Sequence, residues 1–126
     1  MNKEYQLGLL CLTHLLVCAD GVVDEHETDA IRIIREKEGI SDPVFHEFEK
    51  FIRNKKEREI YHHGIDLINH CNDEAKLKVF VTLYKLSEVD GRVHVKEIRL
   101  LLYSIKLAGV EFNDVVHHAM AAPSLI

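Results

Sequence analysis

The chain has 126 residues, a formal net charge of −5, 47% hydrophobic and 29% charged residues. That balance fits one soluble globular domain, residues 1–126, and its mild acidity excludes a general nucleic-acid binder. Three cysteines, Cys11, Cys18 and Cys71, show no CxxC spacing, so free buried thiols in a reducing cytoplasm are expected.

The apolar spacing is helical throughout. The first helix is expected over about residues 3 to 19, with Tyr5, Leu9, Leu12, Leu15, Leu16 and Ala19 on one stripe. Gly8 falls on that stripe and would let another helix approach closely. Leu7, Leu10 and Val17 lie off it, so this helix should be covered on more than one side. The stretch LGLLCLTHLLVCAD superficially resembles a signal-peptide core. Lys3 and Glu4 cancel, however, His14 interrupts the run, and the cleavage site would fall inside a repeated turn. No apolar run approaches the roughly 20 residues that span a bilayer.

Asp20-Gly21 stops the first helix, and Asp24 with Glu27 reads as a capping box for the second, which ends at Glu38 before Gly39. Ser41 or Asp42 before Pro43 opens a third, with Val44, Phe45, Phe48, Phe51 and Ile52 inward. The run RNKKER, Arg53 to Arg58, reads as a solvated junction. A fourth helix, about Glu57 to His70, turns Ile60, Tyr61, Gly64, Ile65 and Ile68 inward. Asn72 opens a fifth, ending near Glu88. It contains VFVTLY, which propensity alone would make a strand, but Leu77, Phe80, Val81 and Tyr84 have helical spacing. A sixth, Val95 to Ala108, is expected to bury Ile98, Leu101, Leu102 and Ile105 before Gly109; a seventh covers about Asn113 to Ala121. The fold class is all-α, a compact bundle of about seven helices.

ADGVVDEHE (Ala19 to Glu27) recurs as VDGRVHVKE (Val89 to Glu97), 70 residues later. Gly39 and Ile40 recur as Gly109 and Val110. Two helical-hairpin repeats, about 5–40 and 75–110, are expected to pack with approximate two-fold symmetry. His94 replaces the capping Asp24, so the second turn should be less firmly capped.

The motif D-G-x-V-x-x-x-E matches the second half of an EF-hand loop. Leu16 and Cys18 in one copy, and Leu86 and Glu88 in the other, stand where the opening carboxylates belong. An ordinary EF-hand is therefore not expected. Two readings stay open. The turns hold a divalent cation weakly through Asp20, Glu27, Asp90 and Glu97. Or they are purely structural: Asp accepts backbone N–H bonds, Gly takes positive φ, Val anchors the turn, and Glu faces the helix dipole.

Nine histidines are many for this length. His62, Asp66 and His70 share one stripe of the fourth helix, but i to i+8 rises about 12 Å, too far for one ion to touch both ends. A Zn²⁺ held by His62 and Asp66 with another chain is a distant alternative to a polar face around His62, His63 and His70. His117 and His118 point to different sides. No nucleophile arrangement or phosphate loop appears, and an enzyme is not expected.

The doubled turn, each copy between an apolar helix and a helix ending in Gly, resembles the tellurite-resistance TerB family, to which the TerB-like domain of certain membrane-anchored DnaJ-type co-chaperones is related. The resemblance covers about residues 5 to 120. It implies about seven helices in two pseudo-symmetric halves and weak divalent-metal binding, Ca²⁺ or Mg²⁺, at Asp20, Glu27, Asp90 and Glu97. It also implies a stress-response role in assemblies often linked to the membrane face, peripherally and through a protein partner. Asp24 and Glu88 are extra carboxylates without a counterpart in the other copy. No His-Pro-Asp tripeptide is present, so no J-domain activity is implied.

Overall fold

The computed structural model describes residues 3–17, 25–89 and 95–121. They form seven helices: α1 (Lys3–Val17), α2 (Glu25–Glu38), α3 (Asp42–Ile52), α4 (Glu57–Asn69), α5 (Asp73–Val89), α6 (Val95–Leu107) and α7 (Phe112–Ala121). Every element among the described residues is helical, as the apolar spacing requires. No helix there is long and apolar enough to cross a membrane.

Local signals set several boundaries. Asn72 caps α5, its Oδ1 accepting from the Ala75 N–H at 2.8 Å. Gly39 and Gly109 end α2 and α6 with φ of 60° and 73°, the left-handed region where a Cβ is strained. The N–H groups of Ile40 and Val110 then reach back to the carbonyls of Arg35 and Ile105, each at 3.1 Å. Both ends are Schellman closures that satisfy orphaned carbonyls. At α3, Ser41 is the N-cap but makes no side-chain capping bond. The Asp42 carboxylate instead accepts from Arg35 at 2.6 Å.

The helix starts carry a longer period than the turn motif alone. α1, α2 and α3 begin at Lys3, Glu25 and Asp42, and α5, α6 and α7 begin 70 residues later at Asp73, Val95 and Phe112. The three starts in each set share that one offset, and α4 has no partner at it.

α1 lies at the centre. It packs most extensively on α4 and also touches α2, α3, α5 and α6, while α5 packs chiefly on α7. Leu7 and Leu10 are buried alongside Leu9, Leu12, Leu15 and Leu16, so α1 is covered on more than one side. The α1–α4 crossing is tight because two glycines face it. A Cβ on Gly8 would lie 2.6 Å from Ile68 Cδ1, and one on Gly64 would lie 3.1 Å from Cys11 Cβ.

Several inward assignments change. In α5 the buried residues are Val79, Phe80, Val81, Thr82, Leu83 and Leu86, while Leu77 and Tyr84 are half-buried. Neighbours α1, α4, α6 and α7 surround this helix, and a helix covered all round has no single inner stripe. In α3 only Phe48 is fully buried. Phe45 and Phe51 are half-buried, roofed by the Arg35 guanidinium at 4.2 Å and the Lys55 ammonium at 5.7 Å. Leu102, expected in the core, is 42% exposed on α6. Val23, Val93 and Ile98 lie outside the described residues or side chains.

One polar knot ties α1, α2 and α5. The Glu38 side chain is 2% exposed and faces Lys78 Nζ at 3.5 Å, while the Tyr5 hydroxyl donates to Glu38 Oε1 at 3.4 Å. Burial and the Glu38 charge together push the Tyr5 phenol well above its ordinary range.

Candidate functional site

Three regions have the chemistry to bind something: the acidic turns, a cleft beside α1, and an apolar outer face. Asp20 and Asp90 lie outside the described residues, as do Gly21, Asp24, Gly91 and His94. Glu27 and Glu97 are the third residues of α2 and α6. Their backbones therefore sit in the first helical turn, where the helix dipole favours a carboxylate. Their side chains, and that of Glu88, are outside the described set.

His62 and Asp66 are exposed on α4, and His70 is exposed at its C-cap. Among the described residues no three His, Cys, Asp or Glu side chains converge as a metal-holding group. His63 has a different role, lying against Phe51 with ring centroids 4.3 Å apart. His118 Nδ1 is 2.8 Å from the Asp114 carbonyl, a local contact within α7.

The cleft lies between α1, α3 and α4 and has a volume of about 350 Å³, lined by Leu7, Cys11, Glu47, Phe48, Lys50, Phe51 and His63. Leu7 and Cys11 are one helical turn apart on α1, as are Glu47 and Phe51 on α3. Sequence reading missed it because its walls come from three separate helices. The available signal was Leu7, an apolar residue off the main α1 stripe with Cys11 one turn on.

Cys11 is 1% exposed, and burial pushes its thiol from an ordinary 9.0 up to about 12. At neutral pH it is a neutral, apolar part of the wall. A raised folded-state value means that this contribution to stability is complete below the unfolded value and is lost as pH rises toward the folded one. Chemical denaturation should therefore show stability falling progressively between pH 9.0 and about 12. In a Cys11→Val variant that fall should be shallower; an unchanged slope would contradict the assignment.

The outer face of α6 and α7 exposes Leu102, Tyr103, Leu107, Phe112 and Met120. Seventy positions earlier stand Arg32, Ile33, Lys37, Asp42 and Lys50. Four of those five are charged, so the positions at that offset are polar where α6 and α7 are apolar.

Comparison of the chain with protein-family models, with curated proteins and with solved structures found no match.

Proposed function

We propose that this chain is a non-enzymatic, TerB-like helical domain of the cytoplasm that works by binding. In this reading its two helical-hairpin repeats, about 5–40 and 75–110, are related by an approximate two-fold axis. Each acidic turn contributes to weak binding of Ca²⁺ or Mg²⁺, through Asp20 and Glu27 in one repeat and Asp90 and Glu97 in the other. The domain would serve a stress-response assembly, peripheral to a membrane, through a protein partner.

One observation carries the reading. The same D-G-x-V-x-x-x-E stretch sits between helices whose starts recur at one offset, and both glutamates fall in the first turn of the helix that follows. Two or three carboxylates per turn fall short of the six to eight oxygens Ca²⁺ takes, so water must complete the shell and affinity is low.

A second reading keeps the protein partner and makes the turns purely structural. The exposed large apolar residues of α6 and α7 favour it, since apolar side chains left in water suit a protein partner.

Differential scanning calorimetry on Asp20→Asn/Asp90→Asn separates the two. Under cation binding, the native chain gains about 1.4 kcal/mol when free metal is tenfold above Kd. The variant should lose that gain while melting normally in chelator. A variant that melts lower in chelator, from a native chain indifferent to metal, selects the structural reading.

A further inference from the structure

We propose that the cleft between α1, α3 and α4 binds a small anionic amphiphile, a monocarboxylate with an apolar body. This site is separate from the acidic turns and does not depend on them.

Size argues for a small molecule. About 350 Å³ lies at the low end of ligand pockets, with room for one compact apolar body and none for a helix. The floor is dry. Leu7, Cys11 and Phe48 are 8%, 1% and 3% exposed, and none carries a charge at neutral pH. Phe51 and the His63 ring, tilted 33° to it with centroids 4.3 Å apart, form an aromatic wall from α3 to α4. The close α1–α4 approach at Gly64 holds Cys11 against this floor.

Charge at the mouth selects the sign of the ligand. The rim carries Glu47 and Lys50. Glu47 Oε2 is already engaged by Lys3 Nζ at 2.7 Å. Lys50 has no hydrogen-bond or ion-pair partner among the described residues. An entering molecule meets one committed carboxylate and one uncommitted ammonium. Its charged end should therefore be an anion, with its apolar body on the aromatic wall.

The test uses the intact chain and three probes of equal length: octanoate and octylammonium below their micelle-forming concentrations, and octanol below its solubility limit. Amide NMR should show saturable octanoate shifts at Leu7, Cys11, Phe51 and His63, with octanoate binding about fivefold tighter than octylammonium. Lys50→Gln, an exposed change that leaves the core intact, should weaken octanoate about fivefold and leave octanol unchanged. Lys50→Glu should reverse the preference toward octylammonium. Equal binding of the two ions, shifts centred on Leu102, Tyr103 and Met120 instead, or no saturation at millimolar octanoate would each overturn the proposal.

Discussion

Phe80→Ala is expected to destabilise the fold by about 3–5 kcal/mol, measured by urea denaturation with far-ultraviolet circular dichroism. Phe80 is 0% exposed and heads the fully buried side chains by volume. It lies in the middle of α5, which touches α1, α4, α6 and α7. The lost transfer free energy and the cavity add, because helices packed on several sides cannot all collapse into one hole. Domains of this size hold only about 5–15 kcal/mol in total, so the midpoint should drop steeply. The dependence on urea should keep its slope, since the same surface unfolds. A loss below about 1 kcal/mol would mean that Phe80 is not held in a packed interior.

Gly8→Ala is expected to cost about 1–2 kcal/mol net, against the direction helix propensity predicts. Alanine is favoured over glycine inside a helix by about 1 kcal/mol. Here the added Cβ would stand 2.6 Å from Ile68 Cδ1, 3.0 Å from its Cγ1 and 3.3 Å from the Gly64 carbonyl. Ile68 is 0% exposed, so its terminal methyl has little free space to rotate into, and overpacking of this kind costs about 1–3 kcal/mol. Ile68→Val deletes that methyl. Alone it should cost about 0.5–1.5 kcal/mol. In the Gly8→Ala background the cost should shrink or change sign, a coupling of about 1 kcal/mol in a double-mutant cycle. Strict additivity would refute the close α1–α4 crossing.

Much of this architecture is legible from residue order because its helices end on local chemistry. Pro43, Asn72, Gly39 and Gly109 each act through their own backbone or the next few residues, so a linear reading finds them. The VFVTLY stretch shows where local preference loses. Its β-branched and aromatic residues suit a strand, but all-round burial by four helices decides the matter. Tertiary context also accounts for what was misplaced. Leu102 fits the inner spacing of α6 but sits outside, because apolar periodicity cannot say whether a face meets this chain or another surface. Glu38 looks like a charged helix end, and only the approach of α1 and α5 makes it a buried partner for Tyr5 and Lys78.

The candidate sites divide in the same way. The acidic turns are contiguous in sequence and stand out by recurring. The cleft is built from Leu7 and Cys11, four residues of α3 and His63, and no single stretch announces it. A zinc site on His62 and Asp66 is limited by helix geometry, since two exposed residues one turn apart need their remaining ligands from elsewhere, and His70 is too far along to help.

The central claim is that the repeated turn is a weak cation site as well as a bend. Amide NMR of the intact chain, titrated with Ca²⁺ and then Mg²⁺ to millimolar concentration, tests it most directly. The account predicts saturable shifts at Gly21 and Gly91, abolished in Asp20→Asn/Asp90→Asn. Resonances of both glycines that stay flat through millimolar metal would contradict it.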